Sequence, residues 1–419
     1  MTVHALEDLV EYARRNSPFY AELYAELPRG GRLAVTDLPI IDQARFWAAN
    51  ALRDNRLLTG PLSDAIVFKS GGTTGKPKFS IYTRAEWESF TQAFGRGLVD
   101  AGLRPGDRVA NLFYAGELYA SFIFILKSIE QAPVATLSLP IGGATPPESI
   151  VQAIEEFDVN TVAVVPTTVC RLAELLVGEG RQLPSVEKIL FGGEALYEDQ
   201  KPLLRRAFPN ASVRSIGYAS VDAGLLGAAV ESPDTSIHRA FQPETILEIV
   251  DEATGEPITT AGEPGKVVVT SLTRRLMPIL RYPAGDLAEW VDYERRRFRV
   301  LGRSEEGARI GPVTLYVEDL RTIVSSVDRE QRIVGMQVVL RHTGGRDQLL
   351  LRLATSAGER LERVGEGIVR QLDESRPMFG EHVASGQVHP LAVEWVRASE
   401  LAVNPRTGKM IRLIDERRK

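Results

Sequence analysis

The chain has a single cysteine, Cys170, in 419 residues, which excludes an intramolecular disulfide and any metal centre built on paired thiolates. No apolar run approaches the roughly 18 residues of a membrane-spanning helix. The segment 1–16 carries Glu7, Asp8 and Glu11 inside an amphipathic pattern and lacks the uninterrupted apolar stretch of a secretory signal. An excess of one charge is also missing. The net charge of −5 is spread without long like-charge blocks, which argues against a nucleic-acid footprint or a membrane-binding polybasic face. There is no internal repeat and no low-complexity tract. Lysine is scarce: nine of the fifty basic residues. The arginine bias is ascribed to genome composition, and it makes each lysine worth locating. The expectation is a soluble, cytoplasmic protein with no nucleic-acid and no membrane partner. Its length exceeds what one hydrophobic core usually supports, so two domains are expected.

Three of the nine lysines fall in one short stretch, Phe68-Lys69-Ser70-Gly71-Gly72-Thr73-Thr74-Gly75-Lys76-Pro77-Lys78. Glycines let backbone N–H groups approach an anion, the hydroxyls of Ser70, Thr73 and Thr74 add neutral donors, and Lys76 and Lys78 add mobile positive charge. That is the composition of a loop that wraps a polyphosphate, although most Gly-rich loops are surface turns. The P-loop of NTPases is excluded by spacing, because the residue five before Gly75 is Ser70 and Lys76 is followed by Pro77.

From residue 106 short apolar runs alternate with helical patterns: strands over 108–113, 134–137, 161–165, 188–191 and 213–217, with helices starting at 117, 147, 167 and 197. Strand and helix alternating at this spacing predict an α/β fold with a mainly parallel sheet covered by helices on both faces, and ligands at the loops leaving the strand C-termini. Strand-like runs follow at 266–272 and 297–301. After the Gly-flanked polar stretch 302–307, the pattern predicts a small α+β unit: a helix over 317–327, strands over 333–340 and 349–354, a helix over 358–372 and a strand over 391–396. The domains are therefore expected at 1–303 and 304–419.

The loop at residues 70–78 resembles the phosphate loop of acyl-adenylate-forming enzymes, the superfamily of acyl-CoA synthetases, luciferases and adenylation domains. Four further segments fit that superfamily in the same chain order: Gly192-Gly193-Glu194, Tyr218-Ala219-Ser220-Val221-Asp222, Arg281-Tyr282-Pro283-Ala284-Gly285-Asp286, and Pro405-Arg406-Thr407-Gly408-Lys409-Met410-Ile411-Arg412. Together with Tyr12-Ala13-Arg14, Pro18-Phe19-Tyr20, Asp37-Leu38-Pro39-Ile40 and Leu139-Pro140-Ile141-Gly142-Gly143, the whole chain resembles the phenylacetate-CoA ligase branch.

The resemblance implies ATP and Mg²⁺ as cofactors and a small-molecule carboxylic acid as substrate. It assigns Ser70, Gly71, Gly72, Thr73, Thr74, Gly75, Lys76 and Lys78 to the phosphates, Gly193, Glu194 and Tyr218 to the adenine, and Asp286 with Arg303 to the ribose. Asp222 stands where the family has a metal-holding glutamate, and Glu305 stands at the hinge. The resemblance further implies that Lys409, the first lysine after Lys266, is the catalytic ammonium. Phe113, Tyr114, Ile141, Gly142, Gly143, Gly217 and Ala219 are implied to line the acyl pocket, and the branch favours aromatic acids. CoA or a phosphopantetheine carrier protein is the implied acceptor.

Two departures keep other readings open. The ligase branch carries Gly-x-Asn-x-x-Pro where this chain reads Gly311-Pro312-Val313-Thr314-Leu315-Tyr316, which leaves room for an amine or other nitrogen acceptor in a biosynthetic pathway. Asp222 is shorter than the family's glutamate and the Lys409 segment is one residue short, so a degenerate nucleotide-binding homologue acting as a partner protein is the third reading. A homodimer is compatible with all three.

Overall fold

The structure is a computed structural model that describes residues 2–51, 53–69, 78–303, 307–310, 313–356, 358–405 and 407–417. The residues between Lys69 and Lys78, Glu305 with its neighbours, and Gly311 and Pro312 lie outside that set, as does the side chain of Arg303.

Strands Ala65–Lys69 and Phe79–Thr83 pair antiparallel with Lys69 opposite Phe79, so residues 70–78 connect the two arms of a hairpin. The second arm runs straight into the helix Arg84–Asp100. Thr83 starts that helix because its Oγ1 accepts from Glu86 N at 3.2 Å while Glu86 Oε2 accepts from Thr83 N at 2.8 Å, which satisfies two of the four N–H groups a helix start leaves unpaired. Trp87, Phe90, Phe94 and Leu98 form its buried stripe, at the spacing of one helical face. Phe90 stacks on Tyr82 at 5.4 Å and on Phe124 at 4.5 Å. Burial of each such ring is worth about 2–3 kcal/mol, so Phe90→Ala would loosen the hairpin from its helix.

The expected parallel sheet has five strands in the order Leu137–Leu139, Arg108–Leu112, Thr161–Val164, Lys188–Phe191 and Ser212–Ser215, every neighbouring pair parallel. Helices Pro147–Glu156, Pro166–Gly178 and Lys201–Ala207 pack on it. Cys170 is buried in that core. Two of the helices beside this sheet start later than the pattern predicts. The first is Ser121–Glu130, because Gly116, Glu117 and Leu118 all adopt positive φ (107°, 47° and 63°) and no helix passes through that region. The second is Lys201–Ala207, with Pro202 in its first turn; the pattern at 197 is a short 3-10 turn over Glu198–Gln200.

Beside the parallel sheet lies a seven-stranded antiparallel sheet in the order Thr245–Val250, Pro264–Ser271, Tyr282–Asp292, Arg297–Arg303, Ile237–Ala240, Gly224–Ala229 and Tyr218–Ser220. It puts Asp286 opposite Arg303 in register. The smaller C-terminal domain has a four-stranded sheet in the order Ala392–Arg397, Arg346–Thr355, Ile333–Thr343 and Leu413–Asp415, with helices Val317–Val327 and Glu362–Ser375 packed against its core. A further helix, Pro377–Ala384, was not apparent in the pattern; it buries Phe379. Val334, Ala354 and Leu401 of this domain join the core of the parallel sheet and its helices, so the two domains share an apolar contact. No described helix is long and apolar enough to cross a membrane.

Candidate active site

The loops leaving the C-terminal ends of the parallel strands converge with the edge of the antiparallel sheet and with the C-terminal segment. Gly192 and Gly193 follow the buried strand Lys188–Phe191. A methyl group on Gly192 would lie 2.5 Å from Ile216 Cγ2 and 3.8 Å from Phe113 Cζ, so glycine is required for the strand ends to approach. Gly193 adopts φ +82°, and a methyl there would lie 3.0 Å from Cε and 3.3 Å from Nζ of Lys409. The one lysine retained in the described part of the C-terminal domain is thus brought across more than two hundred residues onto the Gly-Gly turn.

Glu194 is held on both oxygens. Oε2 accepts from Thr167 N at 3.0 Å and from Thr167 Oγ1 at 2.7 Å, and Oε1 accepts from Met410 N at 2.5 Å. Burial raises its pKa, while the Thr167 donors, Lys409 and the Met410 amide pull the other way.

Tyr218 and Asp286, drawn from separate motifs, are in contact: the Tyr218 hydroxyl donates to Asp286 Oδ2. Asp286 is buried. Beneath Tyr218 sits a pair that sequence reasoning missed. His238 is buried, its Nδ1 donates to Ser236 O at 2.9 Å, and its Nε2 therefore accepts from Ser215 Oγ at 2.8 Å. Burial lowers the His238 pKa to about 4, so the ring is neutral near pH 7. Ser215 Oγ in turn accepts from Gly217 N at 3.1 Å, which fixes the turn that delivers Tyr218. Gly217 has φ +120° and approaches the Phe94 ring, at 3.0 Å from a methyl placed on it.

Asp222 Oδ1 accepts from Ser80 Oγ at 2.8 Å, which ties it to the strand that leaves the phosphate-loop candidate. Arg274, also missed, is fully buried there. Its NH1 donates to Asp222 O at 2.6 Å and its NH2 to Ile81 O at 3.1 Å, and its guanidinium lies 4.0 Å from the Tyr82 ring centroid. The Tyr82 hydroxyl donates to Val221 O at 2.7 Å. Among the described residues no cluster of three or more His, Cys, Asp or Glu groups could cage a metal ion. A lone carboxylate suits Mg²⁺, which commonly takes one or two carboxylates and fills its shell with phosphate oxygens and water. Lys78 lies with Nζ 5.4 Å from the Trp47 ring.

Of the acyl-pocket candidates, Phe113 and Tyr114 are buried in one core with Ala219 packed against it, and Ile141 packs against the neighbouring core. Gly142 and Gly143 are held by Asn111 O and Phe113 O at 2.9 and 2.8 Å. A methyl on Gly143 would lie 2.4 Å from Tyr114 Cε2. Tyr114 shares a hydrogen bond of 3.0 Å with Thr168 Oγ1. Arg303 is placed opposite Asp286 by its backbone; Ser70, Gly71, Gly72, Thr73, Thr74, Gly75, Lys76 and Glu305 lie outside the described residues.

The C-terminal domain is further docked by Tyr197. Its hydroxyl donates to Glu318 Oε1 at 3.1 Å, the Arg321 guanidinium lies 3.4 Å from its ring centroid, and Arg412 pairs with Glu318.

The family description of AMP-binding enzymes matches residues 60–273, more than half of the chain. The chain belongs to this family. Within it the chain stands among acyl-adenylate-forming ligases, in the phenylacetate-CoA ligase-like branch. It is similar to the phenylacetate-coenzyme A ligase of Thermus thermophilus, 28% identical over 369 residues that cover 84% of this chain and 80% of that one. It is also similar to an indoleacetate–lysine synthetase of Pseudomonas savastanoi, 27% identical over 260 residues, 60% of each chain. The solved structure of 2-hydroxyisobutyryl-CoA ligase in its postadenylation state matches with a TM-score of 0.74 at 21% identity, covering 99% of this chain and 88% of that one. The same ligase in its thioesterification state matches at 0.61, with 22% identity and coverage of 98% and 88%.

Proposed function

We propose that the chain activates a carboxylic acid, an aromatic one by preference, as acyl-AMP with release of pyrophosphate, and then passes the acyl group to the thiol of CoA. The observation that carries this is the Lys409 ammonium lying against Gly193, beside the Phe113 and Tyr114 wall and within the loop cluster that holds Tyr218 and Asp286. In the first step a carboxylate oxygen attacks the α-phosphorus of ATP, the bond to the bridging oxygen breaks, and its electron pair leaves with pyrophosphate. Both reactants are anions. A fixed ammonium between them stabilises the charge that builds in the transition state, an effect typically worth about 10²–10³ in rate. Tyr218 and Asp286 would bind adenine and ribose. Residues 70–78 would hold the departing phosphates, and Asp222 would hold Mg²⁺, which when bound neutralises phosphate charge. In the second step the CoA sulfur attacks the acyl carbonyl, AMP leaves, and the thiol proton passes to solvent.

Residues 304–419 act as the lid, pivoting near Glu305. The aromatic preference rests on the likeness to phenylacetate-coenzyme A ligase and on the buried aromatic rings of Phe113 and Tyr114 beside the Gly192–Gly193 turn and the Gly408 turn. A second reading, transfer to an amine in place of CoA, is favoured by the likeness to an indoleacetate–lysine synthetase and by Gly311-Pro312 in place of the branch's Gly-x-Asn.

The test is acid-dependent exchange of labelled pyrophosphate into ATP over a panel of aromatic and aliphatic acids, followed by trapping of the adenylate with CoA or with lysine. Wild type should exchange with at least one aromatic acid, and Lys409→Ala should lose about 10²-fold or more while still binding ATP. Exchange that no acid stimulates, or a Lys409→Ala rate near wild type, overturns the assignment. Amide formation with no thioester selects the second reading.

A further inference from the structure

Three consecutive residues of the C-terminal segment meet the large domain one after another. At Gly408, φ +66°, a methyl group would lie 2.0 Å from Cε2 and Cζ of Tyr114, so the bare backbone packs directly against that ring. Lys409 crosses Gly193, and Met410 N donates to Glu194 Oε1 at 2.5 Å. The two side chains that receive Gly408 and Met410 are anchored to the same place. Thr167 donates to Glu194 through N and Oγ1, and Thr168 Oγ1 bonds the Tyr114 hydroxyl, both in the first turn of the helix Pro166–Gly178. The C-terminal turn is closed on itself as well, with Gly408 N on Asn404 O and Asn404 N on Lys409 O, each at 2.8 Å.

We infer that Glu194 is a positioning residue for Lys409: it fixes the lysine's backbone by accepting from the Met410 amide, with Tyr114 supporting the other flank. The inference deepens the proposed adenylation and rests on it. A lysine side chain is a point charge on a flexible four-carbon stem, and its ammonium can be aimed only if its root is held. With residues 408 and 410 both tethered, the freedom left is that of the Lys409 side chain itself. A charge-assisted bond from backbone N–H to carboxylate is about twice as strong as a neutral one, which suits a contact that must form each time the lid docks. Glutamate is required for a geometric reason. Donors stand at both oxygens, and a glutamine can turn its one oxygen to Thr167 or to Met410 but must face the other N–H with its own NH₂.

The test compares wild type with Glu194→Gln in steady-state pyrophosphate exchange and in tryptic cleavage of the Lys409–Met410 bond, followed by mass spectrometry. We expect kcat to fall about 10- to 100-fold, the range of a catalytic group misplaced by about 1 Å, with the KM for ATP within about twofold. The same substitution in a Lys409→Ala background should change the rate less than about twofold, because it acts through that ammonium. Cleavage at Lys409–Met410 should quicken about tenfold as the docked turn opens more often. Thr167→Val, which removes only the hydroxyl donor behind Glu194, should shift both readouts in the same direction by a smaller factor and serves if Glu194→Gln does not fold. A raised KM at unchanged kcat, an equal loss in the Lys409→Ala background, or unchanged cleavage would overturn the inference. If wild type shows no exchange with any acid, the functional assignment fails alone, and the cleavage rates still decide whether Glu194 holds the turn.

Discussion

Gly408→Ala is the smallest change that should separate the lid from its chemistry. The φ of +66° at this position costs an L-residue about 1–2 kcal/mol. The larger effect is steric. The added methyl would sit 2.0 Å from two ring carbons of Tyr114 and 2.5 Å from its oxygen, whereas carbon atoms pack at about 3.5–4.0 Å. The ring has nowhere to retreat: Gly143 lies so close on it that a methyl there would be 2.4 Å from Cε2, and the hydroxyl is bonded to Thr168. The turn must therefore withdraw by more than about 1 Å, and a displacement of that size at a catalytic group costs about 10²-fold. Because the turn escapes the clash by undocking, the thermal midpoint should move by no more than about 2 °C, as expected for a strain of 1–2 kcal/mol spread over a chain this long. The assay is acid-dependent pyrophosphate exchange alongside thermal unfolding. An alanine variant that exchanges within twofold of wild type would refute the docked geometry. A variant that loses exchange only because it unfolds would refute the claim that the strain is local.

Asp286→Ala should weaken ATP binding about tenfold by calorimetry with little change in kcat for exchange, since a ribose contact is made equally in ground and transition states; unchanged affinity counts against the assignment. Asp222→Ala should raise the Mg²⁺ concentration needed for half-maximal rate while Asp222→Glu preserves it, and identical Mg²⁺ curves for the alanine variant and wild type would make the carboxylate structural. Glu174 supplies a pH prediction away from the site: burial raises its pKa from 4.5 to about 7, and its Oε1 is buried with no hydrogen-bond partner among the described residues. A folded-state pKa raised above the unfolded one means stability that is full below about 4.5 and lost as pH rises through about 7. Glu174→Gln should therefore gain on wild type in thermal midpoint between pH 5 and 8, and a gap that is flat with pH would show the carboxyl to be solvated.

The parts of this protein that sequence exposes are those whose signal is local. Strands such as Thr161–Val164, buried along their whole length, appear as short apolar runs because a covered parallel sheet leaves no polar face. Lys409 stands out through the scarcity of its residue type, and Tyr218 and Asp286 through the shape of their own motifs. The helix starts failed where the backbone does something the residue type does not advertise. Glu117 and Leu118 at positive φ look like helix formers in the sequence, although Pro202 was a legible start signal for the later helix.

What no local pattern holds is which motif touches which. Ser80 meets Asp222 across 142 positions, and Glu194 meets the Met410 amide across 216. Such pairings change what a residue is for. The resemblance to the superfamily sets Glu194 in a loop against the adenine, and in the structure both of its oxygens accept from protein donors, Thr167 and the Met410 amide. A carboxylate has about four acceptor sites, and with the turn docked three of those on Glu194 are taken by these donors. At Gly193 the lack of a side chain matters twice: its φ of +82° is open to glycine, and its bare Cα leaves the space that the Lys409 stem crosses. The Gly-Gly-Glu motif thus divides its work between clearing a path for the ammonium and anchoring the backbone from which the ammonium extends.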